Sequence, residues 1–409
     1  MTTDPSPEPG RPEHQPEFAE VLRTLRQWPD ATPPDLAPAV MSRIRQRRRL
    51  PLGIAALLAA LLGAILAMLR IQPDPEALTV SASDPFFAED AGVAAPGSVA
   101  VPSKELSASG GDLSPARAWL VREQDYDGGW SMGRTGAAAK YTVGTSALAL
   151  LALAKDAAGA ESRAAIERGL HFLVRSQQPS GVFGPDITGS FYNHALACLA
   201  LLRAGDATDS DAACARALRR GLDVIAAAQR PEGGWTYLRS RGAANSSITA
   251  WALQVLMEAR AQGAAHHSDA IERGLAWLDR TVDKSGRAGY RRSGDHPHGS
   301  ETLTAAAALC FLEYGNRSDP RMARMIENIR RDIGDTTAPM DLYRTFFQAA
   351  ALRAEPQPDE ELATVAARLR AAQELAGEDA GSWPPLDRWS SAGGRVYSTS
   401  LALLALNGG

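Results

Sequence analysis

The sequence predicts an all-α protein of six helical hairpins closed into a ring and carried behind a single membrane span. Three observations predict it. A helix–corner–helix unit recurs at steps of 52 or 53 residues, read between Trp119, Phe172, Val224 and Trp277. The second helix of each unit is apolar almost all the way round, and the chain ends on such a helix, STSLALLALNGG. An open solenoid would leave that last apolar helix bare, whereas a ring covers it.

The unit is clearest in Gly221–Leu256. Leu222, Ile225, Ala226 and Gln229 recur at helical spacing, and Pro231 with Gly233-Gly234 stops the helix before Trp235. The second helix opens at Ser246-Ser247, whose hydroxyls suit the free N–H groups of a first turn, and continues ITAWALQVLM. ARAWLVREQDYDGGW (116–130), RGLHFLVRSQQPSGVF (168–183), RGLAWLDRTVDKSGRAGY (273–290) and ARLRAAQELAGEDAGSW (367–383) align with it. A degenerate fifth copy fits at Met325–Leu352, so that twelve helices follow from about Ser114. In the first helices Ile166, Leu170 and Leu173 share a stripe that Glu167, Arg168 and Arg175 avoid, which assigns these helices to an outer layer and the apolar second helices to an inner one.

Arg220-Gly221, Gln229 and Gly234-Trp235 together resemble the QW repeat of the terpene cyclase and protein prenyltransferase superfamily. Gln124 with Trp130 and Gln177 with Phe183 repeat the pattern, while Val282 stands where the fourth copy should hold Gln. The resemblance covers residues 113–409 and implies an α6/α6 toroid with a central cavity. GSWPPLDRWSSAGGRVYSTSLALLAL and EGGWTYL are similar to the bacterial squalene-cyclase-like repeat proteins that lack an assigned activity.

Ahead of the repeats, Met1–Pro16 is rich in Pro and Glu, Glu17–Trp28 forms a short amphipathic helix, and Asp35–Arg49 a second helix with a basic end. Leu50–Leu69 is then free of charge and long enough to cross a hydrocarbon layer of about 30 Å. Arg43, Arg45, Arg47, Arg48 and Arg49 precede it; Asp74, Glu76, Asp84, Glu89 and Asp90 follow. The positive-inside rule places residues 1–49 in the cytosol and the rest in the periplasm, with 50–69 a single pass of the inner membrane. No small-x-small site closely follows the apolar run, which argues against a cleaved signal peptide. Residues 70–112 read as a flexible linker of Ser, Ala, Pro, Gly and acids. A net charge of −4 over 409 residues gives no general pull toward nucleic acid. Cys198, Cys214 and Cys310 lie on helices and read as buried thiols.

Starts of inner helices would line the mouth of a central cavity. They contribute Tyr141, Thr145, Asn193, His194, Asn245, Ser247, Tyr343 and Tyr397 as ligand-contacting residues. A squalene-hopene-type cyclase needs an Asp-x-Asp-Asp element there, to keep one proton on an acidic group. The corresponding stretches TVGT (142–145), NSSI (245–248), SETL (300–303) and YSTS (397–400) hold no pair of carboxylates. Asp332-Ile-Gly-Asp335 comes nearest and reads as a helix cap. The acids and bases left as catalytic candidates are Asp335, Asp341, His298 and Glu301. The zinc-holding Asp-x-Cys of prenyltransferases is missing, and His296, His298 and Glu301 are the one alternative metal set. Cys-Gly-Glu-Gln, required by complement-type thioester domains, is also missing. Two readings follow: a non-catalytic membrane-tethered toroid that binds a lipid-like or isoprenoid ligand or a protein partner and needs no cofactor, or a cyclase-like enzyme with a non-standard site.

Overall fold

The computed structural model describes residues 112–131, 139–155, 159–185, 190–206, 212–237, 242–264, 267–297, 300–315, 319–355, 360–387 and 389–407. The cytosolic stub (1–49), the predicted span (50–69) and residues 70–111 of the linker lie outside them. Among the described residues no helix is long and apolar enough to cross a membrane. Contacts divide the chain into 1–79 and 80–409, and all described residues belong to the second unit.

Twelve α-helices and a single 3-10 turn make up the described residues, with no strand. The outer helices are α1 (Ser114–Arg122), α3 (Ala160–Arg175), α5 (Ala212–Ala227), α7 (Ser268–Asp279), α9 (Pro320–Gly334) and α11 (Glu360–Ala371). The inner ones are α2 (Thr142–Ala154), α4 (Ser190–Asp206), α6 (Ser246–Ala261), α8 (Glu301–Tyr314), α10 (Leu342–Ala354) and α12 (Ser390–Asn407). Burial separates the two layers. Every residue of α2 from Val143 to Leu153 is buried, and so is every residue of α8 from Thr302 to Leu312. In α3 burial is confined to Ala165, Ile166, Gly169, Leu170 and Leu173, the stripe anticipated for an outer helix.

The inner helices pack in the order α2, α4, α6, α8, α10, α12, and α12 returns to pack on α2. The ring is therefore closed. In the outer layer the seam is the last corner against α1: Trp119 Nε1 donates to Asp379 Oδ1 at 3.3 Å and Arg122 Nη2 to the Glu378 carbonyl at 2.6 Å. Arg395 Nε of α12 pairs with the same Asp379, at Oδ2 and 3.1 Å, and so holds that corner from within its own hairpin.

One set of bonds explains the repeat motif. Gln229 Nε2 donates to the Gly233 carbonyl of its own corner at 2.7 Å and to the Ala270 carbonyl of the next outer helix at 2.8 Å. Arg273 Nε, from that next helix, donates to Gln229 Oε1 at 3.1 Å. Trp235 is fully buried; its Nε1 donates to the Ile225 carbonyl and its backbone N–H to Thr249 Oγ1. A side chain at Gly274 would stand 2.7 Å from that indole, so the glycine is what lets the next outer helix close over the tryptophan. Gly233 turns the corner at φ 106, in the left-handed region open to glycine. Gln124 and Gln177 repeat the bridging, to Ala165 and Ala217.

Copy four departs from the motif and compensates. Ala288 occupies the tryptophan position, since its N–H donates to Thr304 Oγ1 as that of Trp235 does to Thr249. Met325, fully buried, replaces the facing glycine and fills the space with its own side chain. Tyr290, aligned with the corner tryptophans from the sequence, is no such wedge: it bonds Tyr237 through the two hydroxyls at 2.8 Å. In place of the missing glutamine, Arg321 of α9 pairs with Asp279 at the end of α7 and with Asp319.

Candidate functional site

Each corner delivers the chain to the start of an inner helix, so the six starts share one end of the ring. There the residues expected at a cavity mouth divide into two groups. Asn193, His194 and Asn245 are tied into the scaffold. Asn193 Oδ1 accepts from the Gly144 N–H at 3.2 Å and its Nδ2 donates to the Lys140 carbonyl, holding α4 to the start of α2. His194 takes the place that a hydroxyl fills in other copies: Nδ1 accepts from the Phe183 N–H and Nε2 meets the Gly221 carbonyl, with the ring between Phe183 and Phe191. Asn245 caps α6 by accepting from the Ile248 N–H. Half-buried Tyr141 precedes α2 and accepts a hydrogen bond from Thr145 Oγ1 on its carbonyl.

Ser247, Tyr343 and Tyr397 belong to the centre of the ring. Tyr192 of α4 bonds Ser247 of α6 at 2.6 Å, and Ser247 bonds Tyr343 of α10 at 3.3 Å. Trp251 Nε1 donates to the Tyr343 hydroxyl at 2.7 Å. Since α8 stands between α6 and α10 in the ring, these bonds run across the lumen. Aromatic packing follows the same line: Trp251 stacks on Phe346 with centroids 5.9 Å apart and meets Phe347 edge-on at 5.2 Å. The protein thus fills its own centre. Burial pushes the Tyr343 hydroxyl up to about 12. The Tyr397 hydroxyl is buried with no partner, and burial first, then the Asp387 and Asp341 carboxylates, pushes its pKa well above the ordinary tyrosine range.

A carboxylate pair lies beside Tyr397. Asp341 caps α10 by accepting from the Arg344 N–H. Asp387, on the loop before α12, accepts from the Leu342 N–H at 2.8 Å, the Trp389 N–H at 3.0 Å, and both the N–H and hydroxyl of Ser390. It therefore clamps the starts of α10 and α12 together. Burial, then the neighbouring Asp341 charge, raises the Asp387 pKa to about 6. Neither stretch carries two acids in sequence; the pairing comes from two hairpins. Asp387 went unnoticed because a single acid in a Pro-rich loop has no local signature.

The other candidates stand apart from this centre. Asp335 is exposed and caps its own turn; the Thr337 hydroxyl and amide hold its carboxyl below the usual range. His298 lies outside the described residues. His296 Nε2 meets Asp283 Oδ2 at 3.1 Å, whereas Glu301 opens α8 and its charge acts on Asp332. Among the described residues no three His, Cys, Asp or Glu side chains converge as a metal site. Cys198, Cys214 and Cys310 are buried and in no disulfide, and burial pushes the thiols of Cys198 and Cys310 well up. A pocket of about 420 Å³ lies on the outside between the second corner and α5, lined by Ser180, Arg220, Asp223 and Val224 among others.

No family model and no curated protein matches the chain. Solved structures do. Cellobiose 2-epimerase from Spirochaeta thermophila matches with TM-score 0.55 at 15% identity, over 71% of this chain and 92% of that one. An α-1,6-mannanase of Salegentibacter matches with TM-score 0.52 at 11% identity, over 72% and 100%. A type II terpene cyclase from Scytonema matches with TM-score 0.50 at 16% identity, over 72% and 96%. Neighbours this divergent in sequence agree on the architecture alone, and the described residues form an α/α toroid.

Proposed function

We propose that this chain is a non-catalytic toroid, tethered by its 50–69 span outside the cytoplasm, that binds a protein partner on its rim. The observation that carries this reading is the occupied lumen. Trp251, Tyr343, Phe346 and Phe347 meet across the ring in the space where an enclosed substrate would need to sit. The rim offers an apolar alternative. Tyr126 and Leu375 are the exposed large hydrophobic side chains of the described residues, on the first and last corners, which closure makes neighbours. A lipid-like or isoprenoid ligand is the second binding reading, resting on the unpartnered Tyr397 hydroxyl; it requires the aromatic side chains to part.

An enzymatic reading is favoured by one observation, the Asp341–Asp387 pair with its raised pKa. Against it, Asp387 accepts four hydrogen bonds, three of them on Oδ1, and these bonds give it the structural part of a clamp between α10 and α12. The test uses the full-length chain in its own membrane, with a photo-crosslinking residue at position 126, 375 or 269, followed by mass spectrometry of proteins and lipids. Crosslinks to one same protein from 126 and 375, and none from 269, are expected. A lipid retained by the wild type and lost from Tyr397→Phe, or a converted lipid lost from Asp387→Asn, would overturn the reading.

A further inference from the structure

Copy five has lost each part of the corner motif at once. The glycine that faces a corner aromatic ring lies eight residues ahead of the bridging glutamine, as in Gly169–Gln177 and Gly221–Gln229, and six more residues lead to the aromatic wedge. Counting the same way, Ile333 stands at the glutamine position, Pro339 at the wedge, and Val365 of α11 at the facing glycine. No large aromatic fills the gap between α9, α10 and α11. What remains is a partly open cavity of about 10 Å³, lined by Ile333, Met340, Val365, Arg344, Gln348 and Arg368, together with Asp332 and Thr345. That is room for one water-sized particle.

Its polar lining is unusual for a space that elsewhere holds an indole. Gln348 is 3% exposed, and its Nε2 has no hydrogen-bond partner. A buried donor in that state is costly, because it has given up its water without gaining an acceptor. Arg344 and Arg368 line the cavity, while Arg368 Nη2 donates to the Ala338 carbonyl and Arg344 Nη2 to the Pro339 carbonyl. Two arginines, Arg344 on α10 and Arg368 on α11, line it beside one acid, Asp332 on α9; Arg331, Arg287 and Glu301 act on Asp332, and Asp335 acts on Arg368.

We propose that this cavity is a binding site for a small anion of about the size of chloride, held by Arg344, Arg368 and the Gln348 amide. The anion supplies the acceptor that Gln348 lacks and offsets the mutual repulsion of the two guanidinium groups. That repulsion, after burial, lowers the pKa of Arg368. Asp332, on the α9 wall, is the one acid among the lining residues; burial, then the Glu301 charge, raises its pKa.

The test measures the full-length chain in neutral detergent, comparing thermal unfolding in sodium chloride and sodium gluconate at matched ionic strength. A midpoint higher by about 2 °C or more in chloride is expected from selective binding to the native state. Gln348→Leu and Arg368→Met should fold and lose the difference. Chloride-35 line broadening, displaced by bromide, should accompany the wild type and be absent from both variants. Equal midpoints in the two salts for the wild type, or broadening that survives in Gln348→Leu, would overturn the proposal.

Discussion

The Gln229 amide is shared between carbonyls of two different helices, its own corner's Gly233 and the next copy's Ala270. Gln229→Leu removes both bonds while keeping most of the volume, and leaves half-buried acceptors without a partner. A loss of about 1–3 kcal/mol is expected, read as a lower urea midpoint with unchanged slope. Tyr126→Ser, at a fully exposed position, should stay within about 0.5 kcal/mol and serves as the control. His194 teaches the complementary lesson. Its place on an apolar helix made it a candidate for the mouth, yet both ring nitrogens are used by backbone groups of Phe183 and Gly221. Sequence gives the residue type at such a position; the partners that decide its role come from other helices.

Between elements, the decisive contact is the wedge of a corner residue against the facing outer helix. Copy four reaches the same fill by the opposite distribution of size, Ala288 at the corner and Met325 on α9. Ala288→Trp alone should overpack against Met325 and destabilise by about 1–3 kcal/mol. Combined with Met325→Gly, which restores the arrangement of Trp235 and Gly274, the loss should shrink, with a coupling energy of about 1–3 kcal/mol in a double-mutant cycle by urea unfolding. Additive effects would mean that the two side chains do not share one space. The regular step of 52 or 53 residues made the hairpins, their corners and the division into outer and inner helices readable from the chain. The swap in copy four was not readable, because each half looks like a simple loss of the motif.

At the scale of the whole ring, Asp387 links α10 to α12 and so takes part in closure. Its native pKa is about 6, above an ordinary aspartate value of 3.8. The folded state therefore binds this proton more tightly than the unfolded one. The stability gained from it is complete below about pH 4 and is lost as pH rises through about 6. Relative to the wild type, Asp387→Asn should flatten the fall of unfolding free energy across that window, a slope of at most about 1.4 kcal/mol per pH unit. Asp341→Asn, which removes the repelling charge, should move the window to lower pH. A wild-type and Asp387→Asn difference that is constant with pH would show that the carboxyl titrates normally.

Local pattern alone determined the helical hairpins, their number, and which face of each is buried. Those properties depend on residues three or four apart, or on a motif repeated in register. Closure of the ring fitted the apolar last helix, but the seam that secures it, Trp119 and Arg122 against residues 378 and 379, joins opposite ends of the repeat region. Only the tertiary structure decided that the lumen is filled, since Ser247 and Tyr343 meet 96 residues apart across two non-adjacent helices. The same holds for the pairing of Asp341 with Asp387 and for the polar cavity of copy five. In each case the energy lies in desolvation and hydrogen bonding between groups that become neighbours when the ring closes, and no single stretch of chain contains both partners.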